Sequence, residues 1–207
     1  MQLSMLDTSW PTAVYRRLRL VTIALIALLW LPEARADDLM GLMRQPGHIV
    51  FMRHAFAPFD NVRREGKLTP EQLRDCSTQR NLDDKGRADA RRIGERLKRA
   101  GVAFDLVYTS AWCRCRETAA LIIGREAPNL PLIDSFFTDP DKTRGPIQIA
   151  ALKKHITEQL PADKTVLMVT HGSLISALSG VDTAETEVVI VARDGRGGVK
   201  VVGRGLP

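Results

Sequence analysis

Ile49-Val50-Phe51-Met52-Arg53-His54-Ala55 is the stretch whose reading decides the fold. Four apolar residues run without interruption into an arginine, a histidine and a small residue. Such a run reads as a strand buried on both faces, the place of a central strand in a mostly parallel sheet. In open α/β sheets ligands sit at the carboxyl ends of the strands, so Arg53 and His54 would face a ligand there. A polar strand end explains the same pair in isolation, and the rest of the chain has to decide.

Two further stretches repeat the pattern. Asp105–Thr109 reads as a second buried strand, leading to Ser110 as N-cap and a helix from Trp112 to about Ile123 with Arg114 in its first turn. A helix dipole disfavours a cation at that position unless an anion binds there as well. Thr165–Thr170 reads as a third strand and delivers His171-Gly172, with a helix opening at Ser173 and running to Leu178. His54, Arg114 and His171 thus occupy comparable places in three strand–loop–helix units.

Between them, Leu82–Ala100 has the periodicity of an amphipathic helix, with Leu82, Ala90, Ile93 and Leu97 on one stripe, Asp83 and Asp84 at its start and Gly101 just past its end. Leu130–Ile133 reads as a short strand. Pro146–Leu160 reads as a helix stopped by Pro161, with Ile149, Leu152 and Ile156 inward and His155 on the surface beside Lys153 and Lys154. Glu187–Ala192 and Val199–Gly203 pair as a hairpin through Asp194-Gly195. These elements predict an α/β fold, a single-domain layered sandwich with a mostly parallel central sheet flanked by helices.

The first 36 residues read differently. Arg16, Arg17 and Arg19 precede the uncharged run Leu20–Leu31, and Ala34-Arg35-Ala36 has the small-x-small pattern of a signal-peptidase site. Twelve helical residues span about 18 Å, short of a hydrocarbon core of roughly 30 Å. We read 1–36 as a signal peptide and 37–207 as the mature domain, periplasmic or secreted, meeting a membrane only through the signal during export. Its loss would take the net charge from +6 to about +4. There is no aromatic-rich basic patch, so nucleic acid is not an expected partner.

Three cysteines are present, Cys76, Cys113 and Cys115. Cys113 and Cys115 are too close in sequence for an easy mutual bridge, so an oxidising compartment would pair Cys76 with one of them. No Cys or His lies at zinc-ligand spacing, and no cofactor is expected. The charged connection 56–81 follows His54 directly and would border the site, with Thr69-Pro70-Glu71 opening a short helix inside it.

Taken together, these residues resemble the histidine phosphatase superfamily, which includes the phosphoglycerate mutases. Arg53-His54-Ala55 is similar to its Arg-His-Gly signature, with alanine in place of glycine. Ser110-Ala111-Trp112-Cys113-Arg114 followed by Thr118-Ala119 is similar to its Ser-x-x-x-Arg-x-x-x-Thr-Ala, and Val169-Thr170-His171-Gly172 matches its second histidine. Leu82-x-x-x-Gly86 with Ala90 resembles the helix between the first two motifs.

The resemblance implies phosphoryl transfer to His54 and then to water. Arg53, Arg114 and His171 would bind the phosphate, without a metal. It also implies an acid that protonates the leaving group, for which Asp134 is the best placed, ahead of Asp139 and Asp141. A phosphorylated small molecule is the expected substrate, with a phosphorylated envelope sugar the favoured one by analogy. A phosphate-ester binding protein and a phosphohistidine protein phosphatase are the alternatives.

Overall fold

The computed structural model describes residues 38–59, 69–136 and 143–207. The signal-peptide reading, most of the basic residues of the 56–81 connection, and Asp139 and Asp141 lie outside the described residues. The sheet has five strands: β1 (Ile49–Arg53), β2 (Leu106–Thr109), β3 (Val166–Thr170), β4 (Val188–Arg193) and β5 (Val199–Gly205), in the order β2-β3-β1-β4-β5. β3 pairs parallel with both β2 and β1, while β4 and β5 add an antiparallel edge.

The apolar runs explain the layering. Side chains alternate across a strand, so Val50, Met52, Leu167, Val169, Val188 and Ile190 feed one core. Ile49, Phe51, Val166, Met168, Val189 and Val191 feed the other. Helices α2 (Asp84–Arg99) and α3 (Cys113–Ile123) cover the first face through Ala90, Ile93, Leu97, Cys115, Ala119 and Ile122. Helices α4 (Arg144–Lys154) and α5 (Gly172–Ser179) cover the second through Ile149, Leu152, Leu174, Ile175 and Leu178. The layered α/β reading therefore holds.

Several boundaries follow the expected chemistry. The Asp83 carboxylate caps α2 by accepting the Gly86 N–H, and Gly101 takes the left-handed conformation just past its end. Thr69 caps α1 (Pro70–Arg74) in a capping box with Gln72. Gly86 is required by a close approach: a Cβ there would lie 2.1 Å from the Phe56 carbonyl oxygen, so α2 packs directly on the loop that follows His54.

Three expectations are corrected. Residues 131–133 form a 3₁₀ turn rather than a strand; Pro131 has no N–H to donate to a ladder, and only Asn129 bridges to Thr109. Ser110 does not cap α3. Trp112 holds the N-cap position without a side-chain bond, and Gln79 Oε1 accepts the Cys113 N–H instead. The helix expected from Pro146 begins at Arg144, because proline is tolerated in a first turn, and it passes into a π turn over His155–Gln159. His155 is half-buried there, with Nδ1 bonded to Gln159 Oε1 at 2.6 Å. The hairpin itself forms as expected, with Asp194 Oδ1 accepting the N–H groups of both Arg196 and Gly198 across its loop.

Candidate active site

Sheet register brings the three motifs to one edge. Arg53 pairs with Thr170 and Thr109 with Val169, so β1, β2 and β3 end at the same level. The His54 N–H then donates to the Thr170 carbonyl and the Ser110 N–H to the Val169 carbonyl, which hold the first residues past the strands in place. β1 and β3 are neighbours whose following helices lie on opposite faces, and a crevice opens at such a switch point.

His54 is buried, and its ring is fixed at both nitrogens. Nδ1 lies 2.8 Å from the Ala55 carbonyl oxygen, which can only accept, so Nδ1 carries the hydrogen. Nε2 accepts from Arg114 Nε at 3.0 Å. The loop after His54 is held by the Ala55 N–H donating to Thr118 Oγ1, whose hydroxyl donates to the Arg114 carbonyl. Ala55 is not among the residues with positive φ, so alanine costs the turn nothing where the family has glycine.

Arg114 bridges the two histidines. Its Nη2 lies 3.0 Å from His171 Nδ1, and its guanidinium stacks over the Trp112 ring at 4.7 Å from the centroid. The imidazole rings of His54 and His171 stand edge to face, 5.6 Å apart. Burial, then the Arg114 charge, holds the pKa of His54 well below 6.5, with Arg80 and Arg53 adding to the effect. Burial and Arg114 lower His171 in the same sense. Burial brings Arg114 down to about 10, so it stays charged at neutral pH.

Arg53 is oriented by a segment distant in sequence. Its guanidinium donates to the Thr183 carbonyl at 2.5 Å and to Glu185 Oε1 at 2.6 Å. A guanidinium has five N–H groups, so these two bonds leave three for other partners. Gly172 makes room for the Arg53 stem, since a Cβ there would approach Arg53 Cδ to 3.3 Å. Thr186, beside Glu185, has φ 64, a rare conformation for a β-branched residue. Its N–H donates to the Arg53 carbonyl.

Asp134 is brought to the second histidine. Its Oδ1 accepts from Ser110 Oγ at 2.8 Å and from the Ala111 N–H at 2.7 Å. Ser110 Oγ lies 2.9 Å from His171 Nε2. Burial raises the Asp134 pKa, against the opposing effect of those two hydrogen bonds.

Sequence reasoning missed the parts of Ser110, Glu185, Gln79 and Arg80. The charge of Arg80 acts on His54, Arg114 and His171 alike, and its guanidinium lies over the Phe59 ring. The one signal available was that Gln79-Arg80 directly precede the Leu82-x-x-x-Gly86 motif. Cys76 is bonded to Cys113, which joins the connection bearing Arg80 to α3. Cys115 is a free thiol, buried against His171, and burial pushes its pKa up to about 12. Among the described residues no three His, Cys, Asp or Glu side chains are grouped so as to hold a metal.

Comparison with known proteins agrees with this architecture. Over 54 residues the chain is 46% identical to a 2,3-bisphosphoglycerate-dependent phosphoglycerate mutase of Bartonella bacilliformis, a match covering 26% of each chain. The matched stretch is thus about a quarter of that relative's length. Among solved structures, the protein histidine phosphatase SixA complexed with tungstate aligns with TM-score 0.53 and 20% identity, covering 77% of this chain and 97% of the other. A phosphoserine phosphatase of Entamoeba histolytica in complex with 3-phosphoglyceric acid aligns with TM-score 0.56 and 16% identity, covering 77% and 97%. Residues 49–134 match the family model of the histidine phosphatase superfamily, branch 1. β1, α2, β2 and α3 all lie inside that match, so this part of the chain is similar to the histidine phosphatase superfamily.

Proposed function

We propose that the protein is a metal-independent phosphomonoester hydrolase that works through a phosphohistidine at His54. The observation that carries this reading is the state of the two histidines. Both are neutral, and both direct a lone pair at the Arg114 guanidinium. The fixed Nδ1 hydrogen leaves His54 Nε2 as the nucleophilic atom. Arg114, with the free N–H groups of the tethered Arg53 and the charge of Arg80, would balance the negative charge of the transferring phosphoryl group. A water would then attack the phosphohistidine and regenerate the ring.

The protein reads further as an exported enzyme, residues 1–36 being its signal and 37–207 its mature domain, periplasmic or secreted. The Cys76–Cys113 bond supports export, because such bonds persist in oxidising compartments. A phosphorylated sugar of the envelope is the substrate we favour. A phosphohistidine protein would use the same cage and differ only in its leaving group, an imidazole nitrogen in place of an alkoxide.

The test is turnover of p-nitrophenyl phosphate, then a panel of sugar phosphates and a phosphohistidine peptide. Turnover unchanged by EDTA is expected, together with acid-labile phosphate on quenched enzyme. Activity lost to EDTA and restored by a divalent ion would refute the mechanism.

The histidines also set a pH dependence. His54 must be neutral to attack and its pKa lies below 6.5, so the acid limb of kcat/KM is expected below pH 6.5. Stability follows the same sign. Between the folded pKa values and 6.5 the unfolded chain binds more protons, so stability is full above pH 6.5 and declines as pH falls. Thermal melts from pH 7.5 to 5 should show the decline, and His171→Asn should reduce its slope. A midpoint independent of pH in this window would contradict the buried neutral state.

A further inference from the structure

We propose that Ser110 and Asp134 form a proton-positioning pair for His171, which receives the proton of an incoming phosphate group on Nδ1 and is held by the pair as an imidazolium. This deepens the phosphatase reading and rests on it. In this scheme Asp134 acts on the second histidine through Ser110 and does not protonate the leaving group.

The argument begins with the direction of the hydrogen bonds. A guanidinium only donates, so His171 Nδ1 accepts from Arg114 Nη2, and the neutral ring carries its hydrogen on Nε2. That N–H donates to Ser110 Oγ at 2.9 Å, and the hydroxyl then has one hydrogen to give, which goes to Asp134 Oδ1 at 2.8 Å. The chain Arg114–His171–Ser110–Asp134 therefore runs one way, and all four side chains are buried. Asp134 is itself clamped. The Ala111 N–H donates to Oδ1, Gln148 Nε2 donates to the Asp134 carbonyl at 2.7 Å, and Thr170 Oγ1 donates to the Ile133 carbonyl at 2.6 Å.

A lone pair on His171 Nδ1 suits the resting site and repels a phosphate oxygen. To hold such an oxygen, Nδ1 must carry a hydrogen while Nε2 keeps its own. A phosphomonoester monoanion brings that proton, since its second ionisation lies near pH 6. Its O–H bond breaks, an N–H bond forms at Nδ1, and the phosphate becomes the dianion. Arg114 Nη2 turns from the ring to the same anion.

The groups that face His171 oppose a positive ring: Arg114 from α3, Arg53 and His54 at the end of β1, and Arg80 from the connection. Cys115 from α3 contributes a neutral thiol, and Trp112 contributes a ring edge. The carboxylate of Asp134, reached through Ser110, lies across the imidazole from Arg114 and offsets them.

The experiment uses the whole protein with histidine labelled by nitrogen-15, and inorganic phosphate as probe. At pH 7 the wild-type His171 ring is expected to pass from the Nε2–H form to the doubly protonated form as phosphate saturates. In Ser110→Ala and Asp134→Asn, checked for fold by circular dichroism, the ring should stay neutral. Their phosphate Kd should rise roughly 10–100-fold, the loss of one charge-assisted bond. Their KM should rise for aryl and alkyl phosphates alike.

A neutral His171 in the phosphate-saturated wild type overturns the proposal without recourse to any variant. So does Asp134→Asn slowing sugar phosphates about 10²–10⁴-fold while sparing p-nitrophenyl phosphate, which would assign Asp134 as leaving-group acid. Failure of the phosphatase reading is read separately, as absence of turnover in wild type that still binds phosphate.

Discussion

His54→Ala is expected to lower kcat on p-nitrophenyl phosphate by on the order of 10³-fold or more, the scale on which enzymes lose rate with their nucleophile. The sheet should survive, because His54 lies past the last residue of β1 and belongs to neither apolar core. The truncation does leave Arg114 Nε without its partner. That costs about 1–3 kcal/mol if water cannot reach it, and water can fill the space of the lost ring. Circular dichroism should therefore match the wild type while acid-labile phosphate on the enzyme disappears. Turnover within tenfold of wild type would leave no place for a phosphohistidine at this position.

Removing the disulfide is expected to give the largest loss of stability. Cys76 and Cys113 are 37 residues apart. Closing a loop of that length in the unfolded chain is worth about 4 kcal/mol by the chain-entropy relation. For a domain of this size the matching fall in melting temperature is roughly 8–15 °C. The paired change Cys76→Ser with Cys113→Ser tests this without leaving a lone thiol. Denaturant midpoints should fall while the m-value holds, and equal midpoints would show that the Gln79 contacts alone secure the connection. Gln79 donates to the carbonyls of Gln72 and Leu73 and accepts from the Cys113 N–H, so part of the tether survives reduction.

What could be read from the sequence was set by local pattern. Short apolar runs rich in β-branched residues and ending in polar ones read as buried strands, and the polar residues that follow them are where the chain turns toward solvent. That is why His54, Arg114 and His171 could be placed before any coordinates. Asp83 and Gly101 marked the ends of α2 by the same local chemistry.

The choice between Cys113 and Cys115 was not legible. Two positions apart on a helix they face nearly opposite directions, and only tertiary packing says that Cys113 meets the connection while Cys115 meets His171. Leu130–Ile133 misled because an apolar stretch containing a proline resembles an edge strand. Glu185 and Thr183 could not have been found, since they act on Arg53 across 132 and 130 positions with no periodic signal. The Ser110 hydroxyl was assigned to a cap because caps are local, whereas its partners Asp134 and His171 lie 24 and 61 positions away.

The Arg114 bridge between the two imidazoles has a bearing on product inhibition. Without ligand two of its N–H groups, at Nε and Nη2, are already given to the rings, so an arriving phosphate that takes these donors exchanges partners with the imidazoles. The net gain on binding is then the difference between two sets of hydrogen bonds, smaller than the full strength of the new set. Orthophosphate, lacking the substrate's organic portion, has only the contacts to the phosphate group to hold it and is expected to leave more readily than substrate. The guanidinium then returns to the two lone pairs, and the resting enzyme is restored as the vacating anion departs.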